Sequence, residues 1–204
     1  MRSWMKLLPA HHASPSAFAK MPADAITDLI HSVWAAVARQ PLAASPWHGL
    51  DHWQRVCRVG HHLAVHEGGD PVVIELFAAL HDSQRENEWD DPRHGIRAAH
   101  FILAHSEHFE VLGPDRLALL IKACRGHNQA GLSDNPTIAC CWDADRLDLS
   151  RVGIQPDPRY LSTELGRRIA DELAAHANPA SSASAWLDQQ TQPTEQPRQE
   201  TTPA

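Results

Sequence analysis

Cysteine is scarce in this chain: there are four in 204 residues, two of them adjacent, Cys140 and Cys141, and two isolated, Cys57 and Cys124. Neither a disulfide scaffold nor a C-x-x-C zinc or redox spacing can be built from them, so a reducing cytosol fits best. A basic excess is missing too. With 18 Lys and Arg against 25 Asp and Glu the formal charge is −7, and no nucleic-acid partner is expected. No apolar run approaches the roughly 18 to 20 residues of a membrane-spanning helix, so no membrane contact is expected either. The opening segment breaks its apolar run at Pro9, His11 and His12, unlike a signal peptide. A cytoplasmic protein is therefore expected. What the chain does have is a 43% apolar content, enough to bury one core, and 15 histidines against one Tyr and four Phe. Histidine is the commonest metal ligand and titrates near neutral pH, so the positions of these fifteen carry the functional question.

Alternation of the kind strands need is absent, and apolar residues recur at helical spacing from Ala23 onward. Ile26, Leu29, Ile30, Val33, Trp34 and Val37 predict a first amphipathic helix over 23–39. His52, Val56, Val59 and Leu63 share one face of a second, running to His66. Asp70-Pro71 is an N-cap followed by proline at the first helical position, and it opens a strongly apolar helix that ends at His81-Asp82. Asp91-Pro92, Pro114-Asp115 and Asn135-Pro136 predict three further starts, and a last helix is expected over 162–175. The expectation is an all-α helical bundle over 23–176, preceded by a partly flexible segment 1–22. Residues 177–204, rich in Pro, Ser, Thr, Gln and Ala, read as a disordered tail in which Trp186-Leu187 is either a short anchor or an incidental apolar pair.

The His81-Asp82 doublet is the most informative feature. A carboxylate at the C-terminal end of an apolar helix meets the negative end of the helix dipole and pays for burial as well. A bound cation removes both objections, and imidazole with carboxylate suits Mn, Fe, Co or Zn. His52 lies on a buried-looking helix face, where a polar ring must find a partner. In Asp143-Ala144-Asp145-Arg146-Leu147-Asp148, Asp145 falls on one face with Ile138, Cys141 and Leu149. A histidine, a His-Asp pair and a later aspartate on three helices make a four-ligand site that a bundle can converge.

That order resembles the HD-domain superfamily of metal-dependent phosphohydrolases, over about residues 47–150. The motifs that carry the resemblance are His48-Gly49-Leu50-Asp51-His52-Trp53, then Phe77 to Arg85 around His81-Asp82, then Cys141-Trp142-Asp143-Ala144-Asp145-Arg146-Leu147-Asp148-Leu149. The resemblance implies an HD-like bundle and metal ligands His52, His81, Asp82 and Asp145, with Asp145 preferred to Asp143 because it precedes a basic residue and a leucine. His94 and His127 extend the set to the order of HD proteins with two metals, in which the doublet aspartate bridges the ions; otherwise they line the pocket and meet substrate phosphate. In the loop after the doublet, Arg85 is a candidate phosphate clamp and Glu86, Glu88 or Asp90 a candidate for orienting water or protonating the leaving oxygen. Arg146 is expected to pair with a carboxylate. The implied activity is hydrolysis of a nucleotide or other small phosphate ester with one or two divalent ions. The alternatives are an HD-type di-iron oxygenase and a non-catalytic binding module. His48 is open between an outer ligand, a supporting partner of the site and a helix-start residue, and oligomeric state is left open. The other ten histidines, His61 among them, read as structural or exposed.

Overall fold

The computed structural model describes residues 23–175 and 182–191, and among these there is no strand. Eight helices form an all-α bundle: α1 (Ala23–Val37), α2 (Leu50–Glu67), α3 (Pro71–Leu80), α4 (His94–Ala104), α5 (Gly113–Gly126), α6 (Pro136–Leu147), α7 (Glu164–Ala175) and α8 (Ala183–Thr191). None is long and apolar enough to cross a membrane. The N-terminal segment 1–22 lies outside the described residues.

The centre of the bundle is α3. Seven of its ten residues, Val73, Ile74 and Leu76 to Leu80, are buried, and α1, α2, α5 and α6 pack around it. Its start follows the expected chemistry: the Asp70 side chain accepts the N–H groups of Val72 and Val73, and Pro71 has no N–H to satisfy. An all-round apolar helix of this kind is stable only when surrounded, so the residues at its C-terminal end are carried into the interior. That is how the His81-Asp82 doublet becomes buried. The same cap-then-proline device opens α6, where Asn135 accepts from Ile138 N–H.

Two elements differ from the sequence expectation. The helix predicted from Asp91-Pro92 starts at His94, because Asp91 is engaged elsewhere: it accepts the Glu86 N–H at 2.8 Å and the Arg97 guanidinium at 2.5 Å. The tail expected to be disordered throughout 177–204 contains α8. Ala183 and Leu187, one turn apart, are buried against α2 and α7, so Leu187 is a core residue. The Trp186 indole donates to Glu172 at 2.6 Å, and Arg58 pairs with Asp188 at 2.5 Å. The rest of that expected tail lies outside the described residues.

Candidate metal centre

Five helices, α2 to α6, meet at one point. His52 stands in the first turn of α2, and the chain can turn into that helix because position 49 is glycine: a Cβ there would lie 2.3 Å from the Ser45 carbonyl oxygen. His81 is the residue that ends α3, with Asp82 directly after it. His94 opens α4, His127 ends α5, and Asp145 projects from the last turn of α6. Gly95 lets α4 approach α5 closely here, since a Cβ would meet the Cys124 carbonyl oxygen at 2.6 Å. All four histidines and Asp82 are buried.

Hydrogen bonding sets the tautomers of the four rings. His81 Nδ1 faces the carbonyls of Ala78 (3.1 Å) and Phe77 (3.2 Å), His127 Nδ1 faces that of Cys124 (2.8 Å), and His94 Nδ1 faces that of Asp91 (2.5 Å). His52 Nδ1 lies 2.7 Å from Asp148 Oδ2. Carbonyls and carboxylates only accept, so in the neutral rings of His52, His81 and His127 Nδ1 carries the hydrogen and Nε2 a lone pair; the short contact to Asp91 favours the same form for His94, whose Nδ1 the Arg85 guanidinium also approaches. Those four lone pairs converge. His52 Nε2 is 3.2 Å from His81 Nε2, and His94 Nε2 is 2.8 Å from His127 Nε2. Paired acceptors repel each other unless a donor, a proton or a cation lies between them; beside His94 the Arg85 guanidinium is such a donor, whereas among the described residues no arginine donates to the Nε2 atoms of the His52–His81 pair.

Asp82 joins the two histidine pairs. Its Oδ2 is 3.7 Å from both His52 Nε2 and His81 Nε2, while its Oδ1 is 3.1 Å from His94 Nε2 and 3.6 Å from His127 Nε2. Asp145 Oδ1 closes the first group, 3.3 Å from His52 Nε2 and 3.7 Å from His81 Nε2. Bonds of about 2.1 Å from N and O ligands imply neighbouring donors about 3.0 Å apart in an octahedron and about 3.4 Å in a tetrahedron. The donor separations fall around those values, so these buried His and Asp groups can hold a metal ion, in a first set of His52, His81 and Asp145 and a second of His81, Asp82 and His127.

The electrostatics agree with that donor set. Burial pushes His81 down to about 3, so the ring is neutral and available as a ligand. Burial opposes ionisation of Asp82 and Asp145, but the surrounding imidazoles outweigh it and hold both well below the usual carboxylate range. His52 behaves oppositely: despite its burial, hydrogen bonds to Asp145 and Asp148 raise its affinity for a proton. A proton and a cation would compete for this ring.

The loop acids divide. Glu86 is exposed and its carboxylate lies 3.5 Å from Arg97, and Asp90 is exposed, so neither expected catalytic acid reaches the cluster. A bonded turn after the doublet, with Arg85 N–H donating to the Asp82 carbonyl, sends their side chains to solvent. Glu88 approaches instead, through His48: His48 Nδ1 is 2.8 Å from Glu88 Oε2, which the Ser45 hydroxyl also meets at 2.9 Å. Arg85 is at the centre, its Nη1 3.5 Å from Asp82 Oδ1 and 3.3 Å from His94 Nε2. Asp143 points away from the cluster. It is buried, and it accepts the N–H groups of Ser162 and Thr163 together with the Thr163 hydroxyl, capping the entry to α7. Among the described residues Arg146 makes no carboxylate pair: its guanidinium donates to the carbonyls of Ala130, Gly131 and Tyr160.

Asp148 is the residue the sequence expectation passes over. It accepts from His52 Nδ1 and from Arg55 Nε (2.8 Å) and Nη2 (3.0 Å), forming the carboxylate–histidine arrangement that orients a ligand ring. Its position three residues after Asp145, one helical turn on, was the available signal. Asp148→Ala is expected to weaken metal binding by about 10- to 100-fold. Stability should fall by about 2–3 kcal/mol, limited by the partial exposure of Arg55, which can rehydrate. Metal titration and chemical denaturation of the variant check both figures.

A pH dependence follows from His81. Its folded value, about 3, lies below the value near 6.5 of the unfolded chain, so the unfolded state binds the extra proton between them. The metal-free protein should therefore lose stability as pH falls below about 6.5, by up to about 1.4 kcal/mol per pH unit from this group, until about pH 3. Denaturation midpoints of wild type and His81→Ala across that window test it; the variant should show the flatter profile.

No family model, curated protein or solved structure matches the chain. The centre stands on its own geometry.

Proposed function

We propose that the chain is a divalent-metal-dependent phosphohydrolase acting on a nucleotide or other small phosphate ester. The observation that carries this reading is a cavity of about 660 Å³ lined by Asp82, His94, His127 and Asp145 together with His48, Arg85, Arg146 and Arg151. Acceptor groups for a cation, with the Arg85 guanidinium beside Asp82 and further positive charge from Arg146 and Arg151, suit an anionic substrate drawn over a cation. The order of His52, His81-Asp82 and Asp145, which resembles the HD superfamily, adds to it.

His52, His81, Asp82 and Asp145 would hold one ion, and His94 and His127 together with Asp82 would hold a second, Mn, Fe, Co or Zn being compatible with the N and O donors. Bound divalent ions supply water activation and polarisation of a phosphoryl oxygen. The chain does the rest. Arg85 holds a phosphate oxygen beside Asp82, and Asp148 fixes the plane of His52. His48 has its Nδ1–H directed to Glu88, so its Nε2 is a proton acceptor in the cavity wall. Burial lowers its proton affinity, partly countered by Glu88, which keeps it neutral and able to take a proton near pH 7.

The test is a panel of phosphate esters, nucleotides included, assayed for phosphate release with Mn²⁺ added, in air and under anaerobic conditions. Release that is metal-dependent and unaffected by removal of oxygen supports the proposal. Turnover only in the presence of dioxygen would replace it with the di-iron oxygenase, and ligand binding without turnover across the panel would replace it with a binding module.

A further inference from the structure

A second group of metal-ligating side chains lies elsewhere, between α1, α2 and α3. Cys57 and His61 are four residues apart on α2 and so share one face, the spacing at which two helical ligands can reach one ion. Glu75 of α3 faces them. The donor atoms of the three all lie within 4.8 Å of one another, and His61 Nε2 is 2.9 Å from Glu75 Oε2. Glu75 is itself oriented: the Trp34 indole of α1 donates to its other oxygen, Oε1, at 3.2 Å, leaving Oε2 for the cluster. A supporting hydrogen bond of this kind is what fixes a carboxylate ligand. All three side chains are half-buried, and a cavity of about 470 Å³ bordered by Trp34, Cys57 and Glu75 reaches two of them, Cys57 and Glu75, from outside. Ligand identity, spacing, outer hydrogen bond and entry path are thus all present.

We infer that Cys57, His61 and Glu75 form a second, separate metal site, selective for a thiophilic divalent cation with zinc the first choice, and with the fourth tetrahedral position left to water. The sulfur distinguishes it from the His/Asp centre, whose donors are nitrogen and oxygen only. Burial pushes the Cys57 thiol up to about 12, so without a cation the group stays protonated and inert. Binding forms a metal–sulfur bond and releases the thiol proton to solvent. An ion here would clamp α2, which carries His52, to α3, which ends in His81.

Cobalt titration of the reduced, full-length protein tests the site, because a thiolate bound to Co²⁺ gives a near-ultraviolet charge-transfer band that a purely N/O centre does not. The expected result is a band present in the wild type that saturates at one equivalent in Asp82→Ala, where the His/Asp centre no longer competes for cobalt, disappears in Cys57→Ser, and is displaced by zinc. Glu75→Gln should weaken Co²⁺ binding at this site at least about tenfold, and Trp34→Phe by a similar factor. Absence of the band at saturating Co²⁺, or its persistence in Cys57→Ser, would overturn the inference.

Discussion

Replacing Asp82 by alanine is expected to lower phosphate release at least about a thousandfold, the rate equivalent of the several kcal/mol of charge stabilisation that bound metal supplies. The effect is large because this carboxylate is shared. Its two oxygens face different histidine pairs, Oδ2 toward His52 and His81 and Oδ1 toward His94 and His127. Removing it strips one donor from each set and also removes the negative charge that offsets the positive charge of a cation in a buried place. Alanine for His94 touches one set only, so its effect should be smaller. Equal losses in the two variants, or activity within a few-fold of wild type in Asp82→Ala, would mean that Asp82 does not join the two sets.

Replacing His48 by alanine is expected to lower kcat at least about a hundredfold, in the range attributed to a positioned proton-transfer group. The ring contributes no donor to the cluster, so manganese content should be unchanged and KM little altered. Because the neutral ring is the active form, wild-type kcat/KM should rise with pH through the His48 titration, at a value below the ordinary 6.5, and that acidic limb should vanish in the variant. Glu88→Gln leaves the ring in place but weakens its orientation, and an intermediate rate is expected. A helix-start role alone would lower stability and leave the pH profile intact, which separates the two.

The bundle itself was legible because its helices announce themselves: 3.6-residue periodicity, Asp70-Pro71 and Asn135-Pro136 as starts, and an α3 too apolar to sit at a surface. The preference for Asp145 over Asp143 comes from the resemblance, through the basic residue and leucine that follow it, and the helix supplies the physical reason. Two residues apart on α6, they point to opposite sides, one into the centre and the other to the start of α7. Loops carry no such period. Nothing in Glu86-Asn87-Glu88-Trp89-Asp90 says which acid turns inward, because Glu88 is held by side chains about forty residues earlier in the chain, Ser45 and His48. α8 was hidden for another reason: Ala183, Trp186 and Leu187 provide one apolar turn inside a polar stretch, and average composition conceals a helix that gains its order by docking. His61 was grouped with the non-ligand histidines because its partner Glu75 belongs to the next helix, and pairing between helices does not show in one-dimensional spacing.

The central claim is that the His/Asp centre is a two-part metal site joined by Asp82. The most direct measurement is the manganese-to-protein ratio by elemental analysis after reconstitution and desalting, manganese being chosen because the thiol of Cys57 disfavours it. The account predicts about two ions in the wild type, about one in His94→Ala and close to none in Asp82→Ala. Stoichiometric manganese retained by Asp82→Ala, or none bound by the wild type, would contradict it.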